Sequence, residues 1–74
     1  MTFDDLRRDI ASQLGLAPEA IADTANLPDL GLDSMRLMAL AMEWEARGLG
    51  VDFTALMEQQ TLAQWAEALG VARG

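Results

Sequence analysis

Apolar residues recur at three- and four-residue steps in several stretches of the chain, a period typical of amphipathic α-helices. The first stretch begins after Thr2, a suitable N-cap, and ends at Gly15, a suitable left-handed stop. Its apolar stripe consists of Phe3, Leu6, Ile10 and Leu14. The pattern therefore predicts a first helix with one buried face.

Two further helices are predicted in the C-terminal third. Asp52 is a suitable N-cap for a short helix. One side of this helix carries Phe53, Leu56 and Met57. Residues 61–64, Thr-Leu-Ala-Gln, have the form of a capping box for a last helix, which Gly70 ends. The buried stripe of that helix is predicted to be Leu62, Trp65, Ala66 and Leu69. Residues 71–74 are expected to form a frayed tail.

The helix predicted from Ser34 to about Arg47 differs from the others, because it carries apolar residues on two faces. At 100° per residue, one face consists of Leu37, Leu40, Ala41 and Trp44. The opposite face consists of Met35, Met38, Ala39, Met42 and Ala46. A small bundle buries one broad face of a helix and seldom two. We therefore expect the second face to be exposed and to contact partner proteins, for which flexible, polarizable methionines are suited. The alternative is a central helix whose methionines fill gaps in the core.

Residues 16–33 lose the helical period and are interrupted by Pro18 and Pro28. The residues expected to anchor this loop to the core are Ile21, Leu27 and Leu30. So long a connection in a small domain is often functional. The chain is therefore predicted to be a single all-α domain over residues 1–74. Its fold is a small four-helix bundle of three longer helices and one short helix, with the long loop between the first and second.

Net charge and missing residue types disfavour several classes of partner and activity. The formal net charge is −7, which disfavours nucleic acid and anionic membrane as partners and leaves basic protein surfaces. The chain has no His, Cys, Tyr or Lys, the residue types that supply most acid–base and nucleophilic catalysis. No catalytic residue, metal site or enzyme activity is therefore predicted. Because no apolar run approaches ~20 residues and no signal peptide is evident, the protein is expected to be cytoplasmic.

Ser34 follows Asp33 at the start of the second predicted helix, and either residue could be its N-cap. Residues 30–35, Leu-Gly-Leu-Asp-Ser-Met, resemble the attachment motif of phosphopantetheine-dependent acyl, peptidyl and aryl carrier proteins. That motif is Gly, a variable residue, Asp or His, Ser, and an aliphatic residue. The resemblance covers essentially the whole chain, because the order of helices and the long loop also match. It implies a bundle of the acyl-carrier-protein type.

The resemblance also implies a function. A separate phosphopantetheinyl transferase would join 4′-phosphopantetheine from coenzyme A to Ser34, and Asp33 would help that enzyme recognise the motif. Three stretches resemble the aryl carrier domains of siderophore-type nonribosomal peptide pathways most: GLDSMRLMALAMEW, VDFTALM and the late Thr-Leu-Ala-Gln-Trp that ends at residue 65. This similarity implies an aryl-acid thioester as cargo, an adenylation enzyme that loads it and a condensation-type domain that receives it. The expected partner-binding residues are Met35, Met38, Met42, Phe53 and Met57.

Three questions stay open at this stage. The protein could instead be an acyl carrier for fatty-acid or polyketide synthesis, which would use the same serine. It could also be an unmodified helical interaction module in which Ser34 is only a cap. Phe53 could pack the short helix onto the core rather than contact partners. We expect a monomer, and Met1 with the short tails favours a free-standing protein over a domain excised from a synthetase.

Overall fold

The structure, a computed structural model, describes residues 1–71. Its helices are α1 (Phe3–Leu14), α2 (Ser34–Ala46), α3 (Phe53–Glu58) and α4 (Leu62–Leu69). Two short 3₁₀ turns, Pro18–Ala20 and Pro28–Leu30, lie in the loop between α1 and α2. Within residues 1–71 no strand forms, and a single antiparallel bridge joins Asn26 to Thr61. The predicted all-α bundle is confirmed. Of the helices in this range, none is long and apolar enough to cross a membrane.

Helices α1 and α4 begin in the same way. The Thr2 hydroxyl accepts a hydrogen bond from the backbone N–H of Asp5, and the Asp5 carboxylate accepts one from the N–H of Thr2, at 3.1 and 3.0 Å. Thr61 and Gln64 form the corresponding capping box at α4, with both bonds at 3.2 Å. Each box satisfies N–H groups that the helix itself leaves unpaired. These reciprocal bonds fix where the two helices start.

The core lies where the apolar faces of α1, α2 and α4 meet. The predicted stripes are buried, except that Leu14 at the end of α1 is half-buried. At the centre, the rings of Trp44 and Trp65 pack edge to face, with centroids 6.2 Å apart and planes at 88°. This is a favourable arrangement for two aromatic quadrupoles. One tryptophan from α2 and one from α4 therefore join the two helices in the core.

The long loop is held to the rest of the fold by both apolar and polar contacts. Ile21 and Leu27 are fully buried, as predicted, and Leu30 is half-buried. The Arg7 guanidinium on α1 donates to the carbonyl of Ile21 at 2.6 Å and pairs with Asp23. Leu27 donates its N–H to the carbonyl of residue 60 at 2.7 Å. The loop is thus attached to α1 on one side and to the segment before α4 on the other, which fixes where α2 begins.

The predicted frayed tail is wrong at its first residue. Val71 is buried, and its N–H donates to the carbonyl of Ala66 at 2.8 Å. This bond belongs to the usual helix ending in which a left-handed glycine, here Gly70 with φ 72°, precedes an apolar residue that folds back. The rest of the predicted tail, residues 72–74, lies outside the described residues.

Candidate functional site

Asp33, and not Ser34, is the N-cap of α2. The Asp33 backbone is extended, and its Oδ1 accepts the N–H of Arg36 at 2.9 Å. Ser34 is therefore the first residue of α2. Its side chain is exposed, and within residues 1–71 its hydroxyl forms no hydrogen bond. The hydroxyl is thus unpaired and accessible in this range, because the capping function that could have occupied it belongs to Asp33.

A compact turn at the end of the loop positions Ser34 at the start of α2. Gly31 donates its N–H to the carbonyl of Pro28 at 3.1 Å, and Leu32 donates to Leu27 at 3.2 Å. Gly31 has φ 106°, a left-handed conformation that side chains other than hydrogen disfavour. The chain can therefore reverse at Gly31, two residues before Asp33, and Ser34 lies at a junction between an anchored loop and a helix.

A cleft of about 150 Å³ lies beside Ser34, between α2, α3 and the start of α4. Its apolar lining comes from Leu32, Leu37, Leu56, Met57 and Trp65, with Pro28 at its edge. Asp33, Ser34 and Gln59 supply the polar part of the lining. The cleft has no signal in the sequence, because it brings together residues from three separate segments of the chain.

The two apolar faces of α2 separate as predicted. Its core face, Leu37, Leu40, Ala41 and Trp44, is buried. The methionine face, defined by Met35, Met38 and Met42, is exposed to 80, 53 and 68%. The alternative of a central helix buried on both sides is therefore wrong.

The two expected partner residues of α3 have different environments. Met57 is 58% exposed and contributes to the lining of the cleft beside Ser34. Phe53 is half-buried and packs against the core. Four of the five expected partner-binding residues are thus available to another protein, whereas Phe53 mainly attaches α3 to the bundle.

The electrostatics at the start of α2 favour an anion. The N–H groups of Ser34 and Met35 form no hydrogen bond within the described range, as is normal for the first turn of a helix. Together with the helix dipole, such N–H groups attract negative charge. The first turn of α2 contains no acidic residue and includes Arg36. A phosphodiester on Ser34 would therefore meet unpaired donors, with the capping carboxylate of Asp33 as the adjacent negative group.

The sequence of the chain matches a known family over most of its length. Residues 4–69 match the family described as "Phosphopantetheine attachment site". The chain belongs to this family. It is therefore a carrier domain whose cofactor, 4′-phosphopantetheine, is attached covalently. Covalent attachment of this cofactor implies a phosphopantetheinyl transferase as a partner.

The relatives of the domain include segments of longer proteins and one small carrier protein. It is 40% identical over 70 residues to phenyloxazoline synthase MbtB of Mycolicibacterium paratuberculosis, covering 95% of this chain and 6% of that protein. It is 40% identical over 68 residues to isochorismatase of Bacillus subtilis, covering 92% of this chain and 22% of that protein. The chain thus spans only a small part of these two relatives. Over 74 residues it is 32% identical to acyl carrier protein ScoB of Streptomyces coeruleorubidus, covering 100% of this chain and 87% of ScoB.

The residues around Ser34 fit a phosphopantetheine arm. The serine hydroxyl is exposed and without a hydrogen-bond partner among the described residues. The adjacent N–H groups suit the phosphate, and the cleft offers an apolar surface to the aliphatic part of the arm. The surroundings of Ser34 therefore suit the phosphate and the aliphatic part of the group.

Proposed function

We propose that Ser34 is the attachment residue and that the domain carries an aryl acid as a thioester for partners of the nonribosomal peptide synthetase type. In this proposal the protein is a non-catalytic, cytoplasmic monomer. The observation that carries the assignment of Ser34 is its free hydroxyl at the N-terminus of α2, within the matched family region. Ser12, the other serine of the chain, lies in the last turn of α1, where the negative end of the helix disfavours a phosphodiester.

In the attachment step, Ser34 Oγ attacks the phosphorus of coenzyme A that bears the pantetheine arm. The Oγ–P bond forms, the bond from that phosphorus to the remaining phosphate breaks, and adenosine 3′,5′-bisphosphate leaves. The hydroxyl proton passes to the transferase, since this chain has no His or Lys to accept it. Asp33 holds the helix cap and is a recognition element for the transferase. Once attached, the arm supplies the thiol on which acyl cargo is carried.

The side chains that would hold the arm between reactions are those that line the cleft. Leu37, Leu56 and Trp65 form its apolar floor, and Met57 extends this surface outward. Because the cleft is small and open to solvent, it can hold the arm only weakly. Weak retention suits a carrier, whose arm must leave the domain to enter each partner.

The methionine face and Met57 form the proposed partner surface. Large exposed apolar side chains that share one helix face are typical of protein interaction sites. Since the face begins at Met35, next to Ser34, a partner that binds there is positioned over the attached cargo. The acidic chain would also attract basic partner surfaces and so accelerate encounter.

The aryl cargo is supported by similarity to a protein whose name describes a phenyl-substituted product, phenyloxazoline synthase. Similarity to acyl carrier protein ScoB supports a second candidate, an acyl carrier of fatty-acid or polyketide synthesis. Loading the phosphopantetheinylated protein with aryl-adenylating, aminoacyl-adenylating and malonyl-transferring enzymes distinguishes these cargo classes. We expect the aryl-adenylating enzyme to load it fastest, and faster malonyl loading would favour the second candidate.

The attachment residue is tested by incubating the protein with coenzyme A, Mg²⁺ and a promiscuous phosphopantetheinyl transferase, followed by intact mass measurement. The expected result is a gain of one phosphopantetheine in the wild type and in Ser12→Ala, and no gain in Ser34→Ala. Circular dichroism of each variant verifies that it is folded. No gain in the folded wild type would instead favour an unmodified interaction module. A gain that persists in Ser34→Ala would place the attachment at another residue.

A further inference from the structure

Arg36 occupies a position in α2 at which α1 and α4 carry an acceptor, whereas α3 carries Ala55 there. It is the third residue of the helix, the position of Asp5 in α1 and Gln64 in α4. Those two side chains accept the N–H of their own N-caps, whereas a guanidinium has no acceptor. A cation is also electrostatically unfavourable in the first turn of a helix. An arginine is therefore unfavourable at this position of α2 on local grounds, so the contacts that favour it must come from residues outside the helix.

The Arg36 guanidinium extends to the end of α1. Its Nε donates to the carbonyl of Gln13 at 3.1 Å. This carbonyl is among the last four of α1, which have no partner within the helix. The last turn of α1 contains no basic residue of its own, so Arg36 supplies a cation to the negative end of that helix. The unfavourable charge at the start of α2 is thus offset by a favourable contact with the C-terminus of α1.

The same guanidinium also holds the loop that leads to Ser34. Its Nη1 donates to the carbonyl of Gly31 at 3.2 Å and lies 3.7 Å from Oδ2 of Asp33. One side chain therefore contacts the end of α1, the residue at which the loop reverses and the carboxylate that caps α2. All three contacted residues precede Ser34 in the sequence, and Arg36 follows it.

We propose that Arg36 is a positioning residue for Ser34, which holds residues 31–33 against the end of α1 so that the serine keeps one position when a transferase binds. The proposal rests on the assignment of Ser34 as the attachment residue. The Arg36 side chain is about half exposed, at 46%, and the Asp33 cap does not depend on it. Loss of the guanidinium should therefore loosen the loop without unfolding the bundle.

The experiment compares Arg36→Gln with Arg36→Lys and with Arg8→Gln as a matched control. Arg8→Gln removes the same charge from an exposed residue whose ion pair with Asp5 is long, at 3.4 Å. Two quantities are measured: kcat and KM of phosphopantetheinylation with the carrier as varied substrate, and amide hydrogen exchange at Gly31 and Leu32. Thermal unfolding followed by circular dichroism verifies that every variant is folded.

For Arg36→Gln we expect faster exchange at both amides and a decrease of about three- to tenfold in kcat/KM, mainly through KM, from the loss of two charge-assisted hydrogen bonds. Arg36→Lys should give an intermediate effect, because an ammonium lacks the planar fork that spans two carbonyls. Arg8→Gln should stay within about twofold of the wild type in both quantities, since exposed ion pairs contribute little.

Three results would overturn the proposal: wild-type kcat/KM in Arg36→Gln, unchanged exchange at Gly31 and Leu32, or an equal decrease in Arg8→Gln, which would indicate a general effect of charge. Failure of the assignment of Ser34 is a different result, because the wild type would then gain no mass or Ser34→Ala would still gain it. In that event the positioning role at an attachment site also fails, while the exchange data would still show whether Arg36 holds the loop.

Discussion

Helices α1 and α4 differ from α2 in how closely they follow the local rules of helix construction. Each of the first two begins with a capping box, ends at a left-handed glycine and buries a single face. Helix α2 begins with an aspartate cap without the reciprocal acceptor, places an arginine in its first turn and carries apolar residues on two faces. Departures from local rules tend to gather where a protein functions. Here they gather on the helix that begins at Ser34.

Different parts of the bundle stabilise the domain and face partner proteins. Burial of α1, α4 and the core face of α2 stabilises the domain, whereas the methionine face and the start of α2 remain exposed to solvent. A chain of 74 residues has little stability in reserve, so it can expose only a limited apolar surface. Substitutions on the two faces of α2 should therefore affect different measurable properties.

The largest decrease in the free energy of unfolding is expected from a substitution on the core face of α2. Leu40→Ala removes a fully buried side chain, and we expect it to lower the free energy of unfolding by about 2–5 kcal/mol, the usual cost of a cavity. A domain of this size has a total of about 5 kcal/mol, so about 0–3 kcal/mol should remain and the variant should unfold at a much lower urea concentration than the wild type. Urea unfolding followed by tryptophan fluorescence measures the loss.

Met38→Ala, on the opposite face two residues away, is the matched control. We expect it to change the free energy of unfolding by no more than about 0.5 kcal/mol, because the side chain is 53% exposed. It should instead slow transfer of the loaded cargo to a condensation-type partner by about tenfold, as for an interface residue of moderate importance. Equal destabilisation by Leu40→Ala and Met38→Ala would show that both faces support the core.

A smaller decrease in the free energy of unfolding is expected from a substitution at the end of α2 farthest from Ser34. Oδ2 of Asp9 on α1 accepts hydrogen bonds from the indole N–H of Trp44 and from Nη1 of Arg47, both at 2.9 Å. The hydrogen bond and charge of Asp9 raise the pKa of Arg47 above its usual value. Asp9→Ala leaves the buried indole N–H unpaired and should lower the free energy of unfolding by about 1–3 kcal/mol.

Glu43→Ala is the control for Asp9→Ala, since Glu43 pairs with the same Arg47 at the surface. It should cost only about 0.3–0.5 kcal/mol. Combining Asp9→Ala with Trp44→Phe should cost less than the sum of the two single substitutions, because the double variant has no unpaired indole donor. Strict additivity would indicate that the Asp9–Trp44 bond does not stabilise the fold.

Sequence predicted the features that depend on neighbours a few residues apart. The helical stripes, the capping box at Thr61 and the two faces of α2 follow from periods of three and four residues. The burial of Val71 also has a local signal, which is an apolar residue directly after Gly70. The expectation of a frayed tail overlooks this signal. Local rules did not decide between Asp33 and Ser34 as the cap, because both residue types are suitable.

Sequence did not predict contacts between distant segments. A buried tryptophan needs a partner for its N–H, but nothing near Trp44 indicates Asp9, which lies 35 residues away. The contact of Arg36 with Gln13, 23 residues away, was missed for the same reason. Its only local signal was an arginine at the third position of a helix, where an acceptor is usual. Such contacts depend on how the loop packs, which no short pattern specifies.

The smallest expected effect distinguishes the two capping boxes, which have the same geometry but different charge. Asp5 in the α1 box is ionised, whereas Gln64 in the α4 box is neutral. The hydrogen bonds from Thr2, its backbone N–H first, hold the pKa of Asp5 below the usual value of 3.8. Folding therefore favours the ionised carboxylate, so the contribution of Asp5 is complete above pH 3.8 and is lost as the pH falls through the lower folded-state pKa.

We therefore expect Asp5→Ala to lower the thermal unfolding midpoint at about pH 6 and to approach the wild type as the pH is lowered to about 3. Gln64→Ala should lower the midpoint by a similar amount at both pH values, because an amide does not titrate in this range. Measuring each variant against the wild type at the same pH removes the titration of the other acidic groups. A deficit in Asp5→Ala that stays constant or grows on acidification would mean that the carboxylate acts in the α1 box as a neutral acceptor, as Gln64 does in the α4 box.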